Sequence, residues 1–337
     1  MSKINFKEIK MLHGNLKFLK ILFSLLVLMF FTHFALAESG EQIEKTFSVK
    51  AGGMLTIDTD VGAIEVEAGA PDQVTVEVLR KFSNGDDEDI SKIFNVSFHQ
   101  EGNNIEVIGE RKKKWGFGWG GIRIQFMVKV PPKFNVDLRT SGGSISVGDL
   151  EGTVNSRTSG GSLSFGDIKG PIMGRTSGGS ITLDKCEGNV DLNTSGGSIR
   201  IGEVNGDLDV HTSGGGIDID QAKGKVEAKT SGGSIHVDEV SGQIDASTSG
   251  GSVECYIAGQ PAGDCQLTSS GGSVTVYLDP NISADLDAKS SGGRVNSDLK
   301  VSVQGEMRRN VLRGEINGGG PELYLRTSAG SVNIREK

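Results

Sequence analysis

The sequence has 337 residues, of which 50 are glycine and only 6% are aromatic, and its formal net charge at pH 7 is −8. A glycine-rich chain whose apolar residues are mostly β-branched favours many short strands over a helical core. The excess of acidic residues argues against nucleic acid as a partner and against unaided binding to anionic lipid.

Residues 1–37 have the three-part pattern of a secretory signal peptide. Lys17 and Lys20 precede an apolar run over residues 21–31, and an Ala-Leu-Ala triplet offers a cleavage site after Ala37. The run is short for a membrane span, which favours a cleaved signal over an uncleaved anchor. Cleavage would remove five Lys and one Glu and leave 30 basic and 42 acidic residues, a net charge of −12. We therefore expect an exported protein, in the periplasm, at the cell surface or outside the cell.

Residues 38–138 alternate apolar and polar residues without a fixed repeat, which is typical of half-buried strands. A hairpin is predicted where two such strands, which contain Val96 and Ile105, flank a Gly-Asn-Asn turn. A long strand over residues 122–130 ends at two prolines, which lack the amide donors of a ladder. We interpret residues 38–138 as an N-terminal capping region that covers the open end of the array and prevents edge-to-edge association.

From residue 139 the chain keeps returning to the hexapeptide Thr-Ser-Gly-Gly-Ser-Ile, which first starts at Thr140. Near copies at a constant spacing of 18 residues start at Thr158, Thr176, Thr194, Thr212, Thr230 and Thr248. Looser copies start at Ser269, Ser290 and Thr327. A fixed short period is the signature of a solenoid, in which each coil buries its apolar side against its neighbours. We assign residues 139–296 to the regular array and residues 297–337, where the period breaks, to irregular closing coils.

Within each repeat, counted from its threonine as position 1, apolar residues recur at positions 6, 8, 11 and 15. Polar residues separate them, so two main strands per coil are predicted, with these positions facing the core. A left-handed helix of three hexads would also need apolar residues at positions 12 and 18, which are polar here. The predicted fold is all-β: a parallel β-solenoid, right-handed or flattened into two sheets, with 18-residue coils and irregular end caps.

Glycine marks the corners of the predicted coils, at positions 3 and 4 before the first strand and again at position 13. Stacked coils must turn at the same place each time, so a Cβ atom at a corner would repeat its clash along the stack. We therefore expect Gly196→Val, at position 3, to cost several kcal/mol through backbone strain. The outward Arg200→Ser is expected to be nearly silent.

Three features resemble the bacterial putative-adhesin family of secreted β-strand repeat proteins. They are the strand at residues 128–131 that ends in Val-Pro, the Thr-x-x-Gly-x-Ile/Val repeats, and the closing Arg-Thr-Ser-Ala-Gly-Ser-Val at residues 326–332. The resemblance covers roughly residues 45–335 and implies a parallel β-solenoid at the cell envelope. The family is largely of unknown function, and the resemblance carries over no catalytic residues.

The sharpest exposed feature of the sequence is a cationic and aromatic stretch over residues 111–119, here called the Trp loop. Its candidate binding residues are Arg111, Lys112, Lys113, Lys114, Trp115, Phe117 and Trp119. Aromatic side chains on a glycine-rich loop suit sugar stacking or insertion at a membrane interface, and the cations attract anionic lipid or phosphate. The alternative is that the two tryptophans, the only ones in the chain, fold back and plug the open end of the core.

Three cysteines follow the expected cleavage site. Cys186, at inward position 11, has no partner in its own coil and is expected to be a buried free thiol. Cys255 and Cys265 occupy inward positions of the two strands of one coil. A bridge requires Cα atoms within about 7 Å, whereas packed sheets lie about 10 Å apart. Either the coil narrows and a disulfide forms, or both cysteines are small buried hydrophobes.

The sequence favours a binding or structural role over catalysis. Three histidines remain after signal removal, and none stands in a known nucleophile motif. We expect no cofactor and no metal ion, because position 10 varies too much for a calcium-binding repeat. The predicted function is a non-enzymatic, adhesin-like or structural envelope protein whose outer surface binds a glycan, protein or membrane partner. The alternatives are a polysaccharide-acting β-helix enzyme and an envelope-stress module that binds another protein.

Overall fold

The computed structural model describes residues 41–82, 90–112, 122–303 and 308–337. In these ranges the protein is all-β, with 30 strands and one 3-10 turn at Ile90–Lys92. The strands form two sheets, A and B, in which most neighbouring strands are parallel. No helix in the described part of the chain is long and apolar enough to cross a membrane.

The first eight strands include the hairpin and the long strand that the sequence predicts. They are β1 (Glu41–Ser48), β2 (Met54–Thr59), β3 (Ala63–Ala68), β4 (Gln73–Phe82), β5 (Phe94–Glu101), β6 (Asn104–Arg111), β7 (Ile122–Val130) and β8 (Asn135–Thr140). Strands β5 and β6 pair antiparallel, as the hairpin requires, and β7 has the expected bounds.

The next sixteen strands are short and belong to the repeats. They are β9 (Ile145–Val147), β10 (Leu150–Glu151), β11 (Val154–Thr158), β12 (Leu163–Lys169), β13 (Ile172–Arg175), β14 (Ile181–Cys186), β15 (Val190–Thr194), β16 (Ile199–Val204), β17 (Leu208–Thr212), β18 (Ile217–Ala222), β19 (Val226–Thr230), β20 (Ile235–Val240), β21 (Ile244–Thr248), β22 (Val253–Ile257), β23 (Cys265–Ser269) and β24 (Val274–Leu278). The last six strands follow. They are β25 (Ala284–Ser290), β26 (Val295–Ser297), β27 (Ser302–Val303), β28 (Val311–Ile316), β29 (Glu322–Thr327) and β30 (Val332–Glu336).

Each regular coil contributes one strand to each sheet. Sheet A has the order β1-β4-β7-β3-β9-β12-β14-β16-β18-β20-β22-β24-β30-β26, with β10 beside β12, and sheet B has the order β27-β28-β25-β29-β23-β21-β19-β17-β15-β13-β11-β8-β2-β6-β5. Equivalent residues of successive coils pair in register: Ile181 with Ile199 on sheet A, and Thr194 with Thr212 on sheet B. The predicted parallel solenoid with 18-residue coils is therefore confirmed, in its two-sheet form.

The core lies between the sheets. Positions 6, 8, 11 and 15 are buried in the regular coils, as predicted. Position 17 also faces inward, which the sequence analysis missed. Its occupants are Ser156, Gly174, Leu192, Val210, Ala228, Ala246 and Leu267. A Cβ atom on Gly174 would lie 2.6 Å from Leu192 Cδ2 and 3.2 Å from Phe165 Cε2, so the large Phe165 is accommodated by the absence of a side chain opposite it.

The repeat geometry begins earlier than the first recognisable hexapeptide. Strands β2 and β3 pair parallel with β8 and β9, which places Thr59 beside Thr140 and Ile64 beside Ile145. The stretch from Thr59 to Ile64 keeps only the Thr, the second Gly and the Ile of the hexapeptide. One coil of the solenoid therefore lies inside the region that the sequence analysis interpreted as an irregular cap.

A ladder of hydroxyl groups joins successive coils at the corner after each strand of sheet B. The position-1 hydroxyl donates to the carbonyl oxygen of the position-4 glycine one coil earlier in the stack, at 2.6–2.9 Å. In most coils it also accepts from the amide of its own position-4 glycine, as Thr194 Oγ1 does from Gly197 at 3.4 Å. The buried hydroxyl thus satisfies two backbone groups that the corner would otherwise leave unpaired. On the outside of the corner, Ser180 Oγ also joins two coils, because it accepts from the amide of Ser198 at 3.3 Å.

The most constrained corner glycine is at position 4 of the repeat, one residue after the position expected from the sequence. A Cβ atom on Gly197, at position 4, would lie 2.1 Å from the carbonyl oxygen of Gly179, whereas one on Gly196 would lie 3.3 Å from its nearest neighbour. Neither residue has a positive φ. The expectation of backbone strain at Gly196 was therefore wrong, because the constraint is the close approach of two stacked backbones at position 4.

The order of the closing coils also differs from the order of the chain. Strand β29, which ends at Thr327, lies between β23 and β25, and β30 lies between β24 and β26. The coil expected to close the solenoid is therefore inserted before the coil of Ser290. Antiparallel strands stand at both ends of the parallel stack: β1, β4 and β5 at one end, and β27 and β28 at the other.

Candidate functional site

The Trp loop lies mostly outside the described residues, which include only Arg111 and Lys112 of its candidates. The amide of Arg111 donates to Asp60 Oδ2 at 2.9 Å, and the amide of Lys112 donates to the carbonyl oxygen of Ile93 at 2.8 Å. These bonds fix where the loop leaves sheet B. The roles of Lys113, Lys114, Trp115, Phe117 and Trp119 stay predictions.

The outer face of sheet B carries two parallel rows of charged residues, one at position 16 and one at position 18. The position-16 row includes Asp137, Asp191, Asp209, Glu227 and Asp245, and the position-18 row includes Arg139, Arg157, Arg175, His211 and Lys229. Because side chains alternate along a strand, both rows point away from the core. Within single strands Arg139 pairs with Asp137 at 2.8 Å and His211 with Asp209 at 2.9 Å. Where an acid and a basic residue share a strand, this face therefore pairs its own polar groups.

The acidic row breaks at two successive coils. Position 16 holds Asn155 on β11 and the 46%-exposed Met173 on β13. The side chain of Arg157 has no ion-pair or hydrogen-bond partner in the part of the chain that the structure describes, whereas Arg175 pairs with Asp191 of the next coil at 2.8 Å. The break thus leaves one exposed arginine without a counter-ion.

Three arginines line up across this break. Arg157 is the in-register neighbour of both Arg139 and Arg175, so the three side chains start about 4.8 Å apart along the stack. We call these three residues the basic row. Together with Asn155, Met173 and Asp137, the ion-pair partner of Arg139, they line a groove of about 440 Å³. A planar guanidinium group binds carboxylate, phosphate or sulfate through two parallel hydrogen bonds, so the basic row is suited to anions.

A model of the Toastrack DUF4097 family matches residues 54–335 of this chain. The chain belongs to the Toastrack DUF4097 family. Among solved structures, it is similar to a putative adhesin from Parabacteroides merdae (12% identity, 88% of this chain and 97% of that one, TM-score 0.41). It is also similar to a putative adhesin from Bacteroides fragilis (13%, 88% and 97%, TM-score 0.29) and to a putative lipid binding protein from Parabacteroides distasonis (13%, 88% and 97%, TM-score 0.33). No curated protein matches the chain.

One group on sheet B of this Toastrack chain has the spacing of a metal site. Ligand atoms of Asp209, His211 and Glu227 all lie within 4.8 Å of one another. The ammonium group of Lys229 hydrogen-bonds Glu227, and this bond lowers the pKa of Glu227 and raises the pKa of Lys229. An internal cation therefore already neutralises the carboxylate that would complete the group.

The three cysteines are free and buried in the structure, and the choice between the two alternatives for Cys255 and Cys265 stays a prediction. Cys186 lies at its expected inward position, and burial raises the pKa of its thiol to about 11. Burial likewise raises the pKa values of Cys255 and Cys265. Thiols with such pKa values are largely protonated at neutral pH and poorly reactive.

Sequence reasoning missed the basic row of this Toastrack protein, although the signal was available. Reading positions 16 and 18 down the repeats shows three copies with an acid beside a basic residue, at Asp137, Asp209 and Glu227. Within the regular array, only Asn155 and Met173 stand beside an arginine without supplying an acid. Motifs are recognised when their residues are local in sequence, whereas members of the row are 18 residues apart. Only the in-register pairing of the coils places them side by side.

Proposed function

We propose that this Toastrack chain is an exported, adhesin-like envelope protein that binds anionic groups of a glycan or a lipid on the basic row of sheet B. The observation that carries the proposal is the break in the acidic row, which leaves Arg157 without a counter-ion between two further arginines. In later coils the residues at the same position, His211 and Lys229, have carboxylate partners.

The chemistry of the groove supports a ligand that has both charge and apolar surface. Two adjacent guanidinium groups can hold one phosphate or carboxylate between them. The exposed Met173 beside them offers a flexible, polarizable contact for a sugar ring or an acyl chain. Because the chain without residues 1–37 carries a net charge of −12, long-range attraction to an anionic partner is absent. Binding should therefore depend on local contacts at the basic row.

Binding assays with a matched pair of charge reversals test this function. The chain without residues 1–37 would be titrated with vesicles of phosphatidylglycerol, vesicles of phosphatidylcholine, peptidoglycan and an anionic polysaccharide. We expect saturable binding to an anionic probe and a loss of about tenfold for Arg157→Glu, the scale of one charge-assisted hydrogen-bonding group. Arg200→Glu is the control, because Arg200 is an exposed arginine on sheet A with the same charge.

Equal losses for the two variants would contradict a site at the basic row, and no saturable binding to any probe would contradict the function. Release of a product from the polysaccharide would favour the enzyme alternative instead.

The Trp loop is a second candidate surface for the same role, because it combines both tryptophans of the chain with four consecutive cations. Replacing Trp115 and Trp119 with Ala should weaken retention on anionic vesicles or glycan without lowering the melting temperature. A large loss of stability with unchanged retention would instead identify the two side chains as a plug of the core.

A further inference from the structure

The outer face of sheet A carries a pair of tyrosines in the coils next to the closing strands. Tyr256 on β22 and Tyr277 on β24 are in-register neighbours, and they are two of the three tyrosines in the chain. Both residues are half-buried. Side by side, about 4.8 Å apart along the stack, they form an aromatic floor on an otherwise polar face.

Acidic side chains surround this floor. Asp238, Glu254 and Glu336 line the same groove of about 290 Å³ as the tyrosines and His236. Asp238 Oδ1 lies 2.8 Å from His236 Nε2 and is thereby partnered. The carboxylates of Glu254 and Glu336 have no ion-pair or hydrogen-bond partner among the described residues. Two free carboxylates beside an aromatic ring make the groove complementary to a cation.

The groove already holds a cation from the chain itself. The ammonium nitrogen of Lys337 lies 3.6 Å from the centroid of the Tyr256 ring. The backbone amide of Lys337 donates to the carbonyl oxygen of Leu278 at 3.2 Å, which prolongs the pairing of β30 with β24. Lys337 therefore reaches the ring as part of an extended segment that runs along the edge of the groove.

We propose that this groove is a binding site for a lysine side chain of a partner polypeptide and that Lys337 is its internal occupant. A primary ammonium group can lie over the Tyr256 ring, as that of Lys337 does, and can also donate hydrogen bonds to a carboxylate such as Glu254, which lines the same groove. A quaternary ammonium group cannot donate, so it would leave the carboxylate without a hydrogen bond. The site lies on the sheet opposite the basic row and does not depend on it.

Ligand-observed NMR with the chain without residues 1–37 tests this site. The probe is the peptide acetyl-Gly-Lys-Gly-amide, and its matched probe has norleucine in place of lysine. We expect Lys337→Ala to bind the lysine probe about 2- to 5-fold more tightly than the unmodified chain, because an internal competitor is removed. Tyr256→Leu should abolish this binding, and Tyr256→Phe, which keeps the ring, should retain it.

Tyr324→Leu is the control for the loss of a tyrosine. Tyr324 on sheet B also has a cation over its ring, but that cation is Arg326, which is bound to Asp287. Unchanged affinity in Lys337→Ala, or full binding by Tyr256→Leu, would overturn the proposal. Equal binding of the norleucine probe would also overturn it, as would choline binding more tightly than the lysine probe.

Discussion

Residues recur from coil to coil at the corner where the coils turn, whereas they vary on the outer face of sheet B. At the corner the same residue returns in nearly every coil, because each threonine and each position-4 glycine touches the backbone of an adjacent coil. On the outer face, position 16 changes from Asp137 to Asn155 to Met173 while the register stays constant. Identity between coils therefore reflects stacking, whereas a change between coils marks surface that is free to acquire a partner.

The corner can be broken most severely at Gly197. Gly197→Ala places a Cβ atom 2.1 Å from the carbonyl oxygen of Gly179, so two stacked backbones must move apart. We expect a destabilisation of about 3 kcal/mol, measured as a lower urea midpoint by circular dichroism. The Cβ atom of Gly196→Ala would lie 3.3 Å from the carbonyl oxygen of Gly178, a tight contact that a shift of a few tenths of an ångström relieves. This variant should cost less than about 1 kcal/mol. Equal midpoints for the two variants would contradict the assignment of the close approach to position 4.

A smaller effect is expected when the hydroxyl ladder loses one rung. Thr194→Val keeps the shape of the side chain but leaves the carbonyl of Gly179 and the amide of Gly197 without their partner. The expected cost is about 1–3 kcal/mol. The control is Thr182→Val, which removes an exposed hydroxyl that bonds Ser164 on the outside of sheet A and should cost less than about 0.5 kcal/mol. If both variants unfold at the same urea midpoint, the ladder is not a main support of the fold.

The three buried cysteines test the interior of the coils, in contrast to their outer face, and no loss of stability is expected. Because the pKa of Cys186 is about 11 and the pKa of Cys255 is also raised, little thiolate exists at pH 8. Alkylation of the native protein should be slow. Alkylation after denaturation without reductant should label all three cysteines by mass spectrometry. A single labelled cysteine would show instead that Cys255 and Cys265 are bridged.

Features that recur in every coil can be predicted from the sequence, whereas features that depend on the order in which the coils pair cannot. Positions 6, 8, 11 and 15 were found because their apolar residues recur, whereas position 17 was missed because Ser156, Gly174 and Leu192 share no polarity. The coil at Thr59 was missed because three of its six hexapeptide residues have changed. The insertion of β29 between β23 and β25 is a choice among nearly equivalent edges. No local pattern encodes that choice.

The basic row shows the same limit on the functional side. Its arginines were visible as single polar residues at position 18, and their proximity follows only from the register of β8, β11 and β13. The Trp loop, by contrast, was found because its residues are consecutive. Local clustering in the sequence therefore finds loop sites readily and finds sites on the face of a solenoid only when the repeats are aligned.

If the break in the acidic row creates the binding surface, restoring the acids should abolish that surface without the removal of any arginine. The double variant Asn155→Asp, Met173→Asp restores the acidic row beside Arg157. The control, Ser146→Asp, Ser164→Asp, adds the same charge at exposed positions of sheet A in adjacent coils. Affinity for phosphatidylglycerol vesicles or an anionic polysaccharide would be measured for both. Restoring the row should weaken binding at least about tenfold, while the affinity of the control should stay within about threefold of the unmodified chain. Equal affinities for the two variants would contradict this origin of the binding surface.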